Sequence, residues 1–201
     1  MNGVIGLILA GGQSRRMGGG DKCLLELGGR PMLQWVIDRA APQVDHLVLS
    51  ANGPAERFVP FGLTIVPDVV PGFVGPLGGI LTGLEWAAAH HPEVPWLVSF
   101  PSDAPLVPKD YVGRLISVAA ADKAEIACAM SDGRTHPVCA LWSVALAPML
   151  RRAVVEEGVR KIDAWTIRRR LTHVDFDGGA FDPFFNVNTP DDLAEADRLL
   201  R

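Results

Sequence analysis

Short apolar runs alternate with longer stretches of helical spacing along the first part of the chain. The apolar runs are bounded by turn residues and predict buried strands at residues 4–10, 46–51, 63–66 and 96–100. The stretches between them predict helices at residues 32–40, 80–90 and 110–121, the first of which follows Pro31. This alternation, with its short connections, indicates a mainly parallel sheet that is covered on both faces.

The later part of the chain has a different pattern. Apolar runs at residues 126–130 and 138–142 flank Ser131-Asp132-Gly133-Arg134, which predicts an antiparallel pair joined by a turn. We expect this pair to form a substrate lid or a dimer surface. A closing helix is predicted at residues 191–200, after Thr189-Pro190. With no internal repeat or long linker, the prediction is one α/β domain: a Rossmann-like three-layer sandwich, mainly parallel, with a small antiparallel strand pair.

Composition narrows the classes of ligand. A chain of 201 residues that is 48% hydrophobic suits one domain with a proper core. The formal net charge of −4 provides no general attraction to nucleic acid or to an anionic membrane, so neither is expected as a partner. An anionic ligand must therefore be met by a local basic site.

The cysteines and the first apolar run bear on where the protein works. Cys23, Cys128 and Cys139 are odd in number and contain no CxxC pair, which favours neither a disulfide framework nor a zinc site. Residues 4–10 follow no basic segment and are far shorter than the roughly 20 apolar residues that span a bilayer. We therefore expect a cytoplasmic protein.

The segment with the most chemistry directly follows the first predicted strand. Residues 9–22 combine five glycines with three cations, Arg15, Arg16 and Lys22. Glycines let the backbone approach a ligand closely, and the cations supply the charge that a triphosphate needs. The spacing matches neither the P-loop nor the G-x-G-x-x-G fingerprint. The prediction is a glycine-rich phosphate cradle, and the alternative is an ordinary surface loop rich in turn residues.

Two aspartates follow predicted strands. Asp103 comes after the strand at residues 96–100 and stands between Pro101 and Pro105, as a rigid carboxylate at a strand's carboxyl end would. Magnesium prefers one or two carboxylates plus substrate phosphate oxygens, so Asp103 is a candidate ligand for Mg²⁺. Asp68 follows the strand at residues 63–66. For both residues, the alternative is a turn or capping aspartate.

Three polar residues in the second half of the chain are further candidates for the binding site. Asn186 and Asn188 have period-2 spacing, so both amides would project from one face of an extended segment. Asn followed by Thr-Pro is also an ordinary way to end a strand and begin a helix. His136 follows the predicted turn. A histidine in such a position is commonly exposed to solvent or hydrogen-bonded to a neighbouring residue, with no further role.

Taken in order, these segments resemble the bacterial molybdenum cofactor guanylyltransferases, which join GMP to molybdopterin. The resemblance covers almost the whole chain and rests on Leu9-Ala10-Gly11-Gly12, Arg16-Met17-Gly18, Asp21-Lys22, Gly62-Leu63 before Asp68, Gly75-Pro76-Leu77, Pro101-Ser102-Asp103-Ala104-Pro105, His136-Pro137 and Phe185-Asn186-Val187-Asn188-Thr189-Pro190. Leu-Ala-Gly-Gly in place of Leu-Ala-Ala-Gly resembles the guanylyl branch more than the related cytidylyltransferases.

The resemblance implies a set of nucleotide-site residues. The catalytic residues would be Arg16, Lys22 and Asp103, with Asp103 holding Mg²⁺, the one cofactor expected. The nucleotide would contact Leu9, Ala10, Gly11, Gly12, Lys22, Ser50, Asp68 and Asp103. The chain departs from the family at Ser50, where an asparagine is common; Asn52 lies two residues on. The acceptor would contact Gly75, Pro76, Leu77, His136, Asn186 and Asn188.

The resemblance also implies a reaction and a division of the domain. Residues 1–105 would form the nucleotide-binding half and residues 106–201 the acceptor-binding half. The terminal phosphate of molybdopterin, or of its molybdenum-loaded form, would attack the α-phosphorus of GTP and expel pyrophosphate. Molybdoenzymes or other cofactor-biosynthesis proteins would be further partners, and the protein would be a monomer or a weak homo-oligomer.

Two alternatives remain open at the level of sequence. A cytidylyltransferase acting on molybdopterin or another phosphorylated acceptor would have the same cradle and carboxylate. A non-catalytic, GTP-binding regulatory module would bind nucleotide without releasing pyrophosphate. The presence of both Lys22 and Asp103 argues against the second, because a binding-only protein has no evident need for a metal carboxylate beside a triphosphate loop.

Overall fold

A seven-stranded sheet with helices on both faces forms the centre of the protein. The structure, a computed structural model, describes residues 3–10, 21–72, 75–176, 179 and 181–200. Its strands are β1 (Val4–Leu9), β2 (Glu26–Leu27), β3 (Arg30–Pro31), β4 (His46–Ser50), β5 (Thr64–Val66), β6 (Trp96–Pro101), β7 (Ile126–Ser131), β8 (Arg134–Ser143) and β9 (Leu171–Asp175). Its α-helices are α1 (Met32–Ala40), α2 (Pro76–His90), α3 (Tyr111–Asp122), α4 (Ala147–Val155), α5 (Ile162–Thr166) and α6 (Pro190–Leu199).

The main sheet has the strand order β5-β4-β1-β6-β8-β7-β9. Strands β5, β4, β1 and β6 are parallel to one another, and β9 is parallel to β7. Strand β8 is antiparallel to both of its neighbours. The predicted α/β class and the mainly parallel sheet are therefore confirmed. The separate ribbon of β2 and β3 adds a second antiparallel pair.

Strand β1 illustrates why the sheet is covered on both faces. Successive side chains of a strand point to opposite faces, and both sets in β1 are apolar. Val4 and Ile8 belong to the core cluster that packs on α1 and α3, whereas Ile5 and Leu7 belong to the cluster under α2, α4 and α5. All four are fully buried.

Helix α2 lies unusually close to the sheet. A methyl group placed on Gly83 would lie 2.6 Å from Leu7 Cδ2, and one on Gly79 would lie 2.5 Å from Leu9 Cδ2. These distances are well inside van der Waals contact, so only glycine fits at either position without movement of its neighbours. The close approach brings the start of α2 to the edge of the sheet where β1 ends.

Several details differ from the sequence predictions. Helix α2 begins at Pro76 and not at residue 80. The antiparallel pair of residues 126–142 is not a separate lid: β8 lies between β6 and β7 in the sheet, because residues 139–142 are apolar or small on both faces and are buried. Its role as a dimer surface stays a prediction. Helices α4 and α5 and strand β9 were not predicted. Within the described ranges, no helix is long and apolar enough to cross a bilayer.

Candidate active site

A cavity of about 800 Å³ lies beyond the carboxyl ends of the parallel strands. The register pairs Leu9 with Ser50 of β4 and with Pro101 of β6, so three strands end at the same edge. Described residues that follow these strands in the chain supply one side of the cavity, and residues of β8 and of the segment before α6 supply the other. Its size and its position at the strand ends are typical of ligand sites in open α/β sheets.

Lys22 joins the two sides of this cavity. Its ammonium lies 2.6 Å from Oδ2 of Asp103, and it donates a second hydrogen bond of 2.6 Å to Oδ1 of Asn188. Lys22 begins a short 3-10 turn after Asp21, and Asp103 follows β6. The structure thus brings together three predicted site residues that are far apart in the chain.

The segment that carries Asn186 and Asn188 is fixed on two sides. Val187, which lies between them, is fully buried and donates its backbone N–H to the carbonyl of Asp103 at 2.9 Å. Both asparagines line the cavity. Thr189 and Asp192 form a capping box at the start of α6, and Asp192 also accepts the N–H of Asn188 at 2.9 Å. The two amides are therefore held by the packing and capping of their neighbours.

Asp68 is held by two residues at the end of β4. Asn52 Nδ2 donates to Asp68 Oδ2 at 2.8 Å, and Asn52 Oδ1 accepts the Asp68 backbone N–H at 3.0 Å. Ser50 Oγ donates to Asp68 Oδ1 at 3.2 Å. All three residues line the cavity. Asn52, which was not assigned to the site from sequence, makes the shorter and more numerous contacts.

His136 lies in the wall of the cavity and is buried. Its Nε2 lies 2.7 Å from Ser131 Oγ, which in turn donates to Asp182 Oδ1 at 2.9 Å. Burial lowers the pKa of His136, and the positive charge of Arg134 adds to this effect, while Asp182 opposes it. The imidazole is therefore mainly neutral near pH 7.

The remaining predicted residues divide into three groups. Leu9, Ala10, Gly75 and Pro76 line the cavity. Leu77 does not: its side chain is fully buried in the core under α2, because the helix begins one residue earlier and turns Leu77 toward the sheet. Any contact of Leu77 with the acceptor would therefore involve its backbone and not its side chain. Gly11, Gly12 and Arg16 lie outside the described residues.

The cavity also contains residues that sequence reasoning missed. Arg134 and Thr135 line it at the start of β8, and Arg134 makes no ion pair within the described part of the chain. An arginine without a carboxylate partner beside a cavity is a candidate for binding an anion. Arg134 could have been identified from the sequence, because it lies two residues before His136, which was already a candidate.

Two thiols reach the cavity but are not candidates for nucleophilic chemistry. Burial, together with Asp21, raises the pKa of Cys23 to about 12. Burial also raises the pKa of Cys139 well above its usual value. Both thiols are protonated at neutral pH, and a thiol in that form is a poor nucleophile.

The oxygen atoms that line the cavity suit a hard divalent cation that takes few of its ligands from the protein. Among the described residues, no three His, Cys, Asp or Glu side chains converge on one point. Asp103 instead offers a partly exposed carboxylate, with the amides of Asn186 and Asn188 on the same cavity. Magnesium commonly binds through one or two carboxylates and completes its shell with water and substrate phosphates. These residues fit such an ion.

Comparison with known proteins identifies the family. The sequence profile described as the MobA-like NTP transferase domain matches residues 6–173. The chain belongs to this family. MobA-like NTP transferases are nucleotidyltransferases, so the protein is an enzyme of that class. The predicted resemblance to this group of enzymes is confirmed.

Individual relatives agree with the family assignment. The chain is 51% identical over 193 residues to the molybdenum cofactor guanylyltransferase of Rhodopseudomonas palustris, a match that covers 96% of this chain and 92% of the relative. The crystal structure of molybdopterin-guanine dinucleotide biosynthesis protein A from Archaeoglobus fulgidus is similar, with a TM-score of 0.78, 24% identity and 98% coverage of both chains. A Mycobacterium tuberculosis protein, solved in complex with manganese, has a TM-score of 0.69, 25% identity and coverage of 97% of this chain and 98% of its own.

Proposed function

We propose that this protein transfers GMP from GTP to the terminal phosphate of molybdopterin, releasing pyrophosphate and forming the guanine dinucleotide cofactor. The observation that carries the proposal is the meeting of Lys22, Asp103 and Asn188 in one cavity of a MobA-like NTP transferase. The relative from Rhodopseudomonas palustris, which matches almost the whole chain, has this activity in its name. The reaction is a displacement at phosphorus, which depends mainly on positioning and on stabilisation of charge.

The nucleotide occupies the side of the cavity formed by the first half of the chain. Leu9 and Ala10 end β1 there, and Asp68 presents its carboxylate between Ser50 and Asn52. A carboxylate fixed in this way accepts hydrogen bonds from N–H or O–H groups of a base or ribose. We place GTP with its base against Leu9–Gly12 and its phosphates near Lys22 and Arg16.

Lys22 provides positive charge for the triphosphate. The transition state has more charge on its equatorial oxygens than the ground state, so a cation held beside them lowers the barrier. The contacts with Asp103 and Asn188 fix the direction of the side chain before the substrate arrives. No covalent enzyme intermediate is needed, since a phosphate monoester is already ionised near neutral pH and the cavity thiols are protonated.

We assign magnesium to Asp103, with the amide oxygens of Asn186 and Asn188 as secondary candidates. Nucleotidyltransferases generally use a divalent metal, and the related mycobacterial protein was solved with manganese. When bound, the ion supplies positive charge that draws electron density from the α-phosphate. Asp103 suits this role because β6 and its flanking prolines fix the carboxylate at the sheet edge.

The acceptor occupies the other side of the cavity, so that residues 1–105 serve mainly the nucleotide and residues 106–201 mainly the acceptor, with Gly75 and Pro76 as the exception. Gly75 and Pro76 border this side at the start of α2, and His136, Asn186 and Asn188 line it. Arg134 adds a cation for the acceptor phosphate. We further propose that the protein works in the cytosol, where its three buried, unpaired cysteines would stay reduced, as a monomer or weak homo-oligomer.

The test is to incubate the purified chain with molybdopterin and magnesium, offering GTP and CTP in parallel, and to follow pyrophosphate and the dinucleotide product. Release with GTP alone supports the proposal. Release with CTP alone would assign the enzyme to the cytidylyl branch, and tight GTP binding without release would indicate a regulatory module. Asp103→Ala should abolish magnesium-dependent turnover. Asp110→Ala, which removes an exposed carboxylate outside the cavity, should not.

A further inference from the structure

Three side chains outside the nucleotide side of the cavity form a connected hydrogen-bond chain. His136 Nε2 lies 2.7 Å from Ser131 Oγ, and Ser131 Oγ lies 2.9 Å from Asp182 Oδ1. Ser131 and His136 flank the turn between β7 and β8, whereas Asp182 comes from the segment before α6. The direct distance from His136 Nε2 to Asp182 Oδ1 is 3.8 Å, so the serine hydroxyl joins the other two residues.

The positions of the hydrogens follow from what each group can donate. An ionised carboxylate only accepts, so Ser131 uses its single hydrogen toward Asp182. The same oxygen of Ser131 must then accept from His136, which requires the hydrogen of the imidazole to be on Nε2. In the neutral ring, Nδ1 is left with a lone pair and no hydrogen. The network therefore specifies one tautomer.

The carboxylate at the end of the network is itself fixed. Asp182 Oδ1 accepts the backbone N–H of Phe184 at 2.9 Å. Phe184 is buried, and its ring packs against the imidazole of His136 with centroids 4.8 Å apart. The ring that contacts the histidine and the carboxylate that orients it thus belong to one short segment.

His136 lines the cavity, and its Nδ1 is the ring nitrogen that the network with Ser131 leaves unused. It makes no hydrogen bond with any described residue, and it is not among the buried nitrogens that lack a partner, so it keeps accessible surface. The charged groups that face the ring are Asp182 and Arg134, and the thiol of Cys128, which accepts the backbone N–H of His136, is neutral because burial raises its pKa to about 12. Burial lowers the pKa of His136, so the lone pair on Nδ1 is available at neutral pH.

We propose that His136 Nδ1 accepts a hydrogen bond from an N–H group of the acceptor's reduced pterin, and that Ser131 and Asp182 are positioning residues that keep this nitrogen free of hydrogen. The inference rests on the proposed function for the identity of the acceptor. It adds a contact that selects the acceptor by its ring and not by its phosphate.

The tautomer can be measured without any substrate. In the ¹⁵N NMR spectrum of the free protein, the imidazole signals that disappear in His136→Asn should show hydrogen on Nε2 and a bare Nδ1. Ser131→Ala should give a mixture of tautomers, and Ser131→Thr should restore the original one. Hydrogen on Nδ1 in the unaltered protein would overturn the proposal whatever the enzyme's activity.

Kinetics then test the role of this nitrogen. Ser131→Ala should raise the KM for molybdopterin about 3- to 10-fold, the effect of roughly 1 kcal/mol expected for one hydrogen bond, and leave the KM for GTP unchanged. Ser131→Thr should recover most of the loss. Thr166→Ala removes another buried hydroxyl, outside this cavity, and should change neither KM.

The pH dependence separates a positioned acceptor from a merely structural histidine. The KM for molybdopterin should rise as the pH falls through the pKa of His136, because protonation consumes the lone pair on Nδ1. His136→Asn places an amide oxygen close to the position of Nδ1 and does not titrate, so this rise should disappear. The inference would be overturned if the KM for molybdopterin rose equally at low pH in His136→Asn. It would also be overturned if this KM were unchanged in both Ser131→Ala and His136→Ala. Absence of GTP-dependent pyrophosphate release in the unaltered protein would instead contradict the proposed function.

Discussion

Lys22 Nζ lies 2.6 Å from Asp103 Oδ2, so the turn that begins at Lys22 and the segment that follows β6 meet through an ion pair in the wall of the cavity. The side chains are only 13% and 27% exposed, which limits screening of the pair by solvent. The same carboxylate is the proposed ligand of the metal. A lysine at this distance therefore opposes binding of a divalent ion to the free protein while it serves the triphosphate once the substrate is bound.

Replacing Lys22 by methionine separates these two effects. Lys22→Met should bind Mn²⁺ more tightly than the unaltered protein in the absence of nucleotide, because the carboxylate loses its competing cation. Turnover should nevertheless fall by about 100-fold or more, the usual loss when a charge-stabilising donor is removed from an active site. Titration of Mn²⁺ followed by electron paramagnetic resonance measures the first, and pyrophosphate release the second.

A matched control is Lys109→Met, which removes an exposed lysine outside the cavity. It should alter neither quantity. Weaker Mn²⁺ binding in Lys22→Met would show that Lys22 supports the metal site and does not compete with it.

The contacts of Asp68 predict unequal effects at Ser50 and Asn52. Asn52→Ala removes two hydrogen bonds to Asp68, whereas Ser50→Ala removes one longer bond. Hydrogen bonds to charged groups contribute about 1.5–3 kcal/mol, so Asn52→Ala should raise the KM for GTP by roughly tenfold or more and Ser50→Ala by less. The KM for molybdopterin should stay constant in both. A larger effect at Ser50 would indicate that Ser50 contacts the nucleotide itself.

The strand ends explain how much of the site could be predicted. Because the carboxyl ends of parallel strands meet at one edge, a residue such as Asp103, directly after a buried strand, could be placed at a ligand site from the sequence. The contact of Asn52 with Asp68 could not, since it depends on the register between β4 and β5. The bond between Ser131 and Asp182 joins residues 51 positions apart, and no local pattern indicates it.

The prediction of buried strands is confirmed where side chains on both faces of a strand are apolar, as in β1, because a run of that kind is buried whatever its neighbours are. It was incomplete where burial depends on neighbours. In strand β9, Val174 is the one buried residue, so the strand lacks the apolar run that indicates a strand in the sequence. Leu77 was assigned to the acceptor as part of the Gly75-Pro76-Leu77 motif that resembles the family, but the rotation of α2 about its axis turns this side chain into the core.

The capping box of α6 supports the position of Asn188. Thr189→Ala should lower the free energy of unfolding by about 1 kcal/mol, the usual contribution of an N-cap. Denaturant titration measures this loss. Asp192→Asn should behave similarly and also weaken the hold on the Asn188 backbone, which lies beside Lys22. Pro190→Ala, at the first turn of the same helix, should cost less than either.

The Asp192 contribution should depend on pH in a definite direction. Burial is the largest single influence on its pKa and raises it, but the hydrogen bonds from Asn188 and Thr189 and the charge of Lys22 together outweigh burial and lower the pKa below its usual value of 3.8. The stabilisation is therefore present above pH 3.8 and is lost as the pH falls through the lower, folded-state pKa. The stability difference between the unaltered protein and Asp192→Asn should shrink over that interval. A difference that stays constant down to the acid limit of folding would contradict this role.

Two helical glycines predict opposite effects of the same substitution. Gly83→Ala places a methyl group 2.6 Å from Leu7 Cδ2 and 3.1 Å from Leu97 Cδ2, in a fully buried part of the core, so these leucine side chains, α2 or the sheet must move. Overpacking of this kind costs about 1–3 kcal/mol. Gly113→Ala in α3 meets no atom within 4 Å, and the gain in helix propensity should stabilise the protein by about 0.5–1 kcal/mol. Chemical denaturation of the two variants beside the unaltered protein measures both changes. Destabilisation by Gly113→Ala would contradict the absence of any atom within 4 Å of the added methyl group.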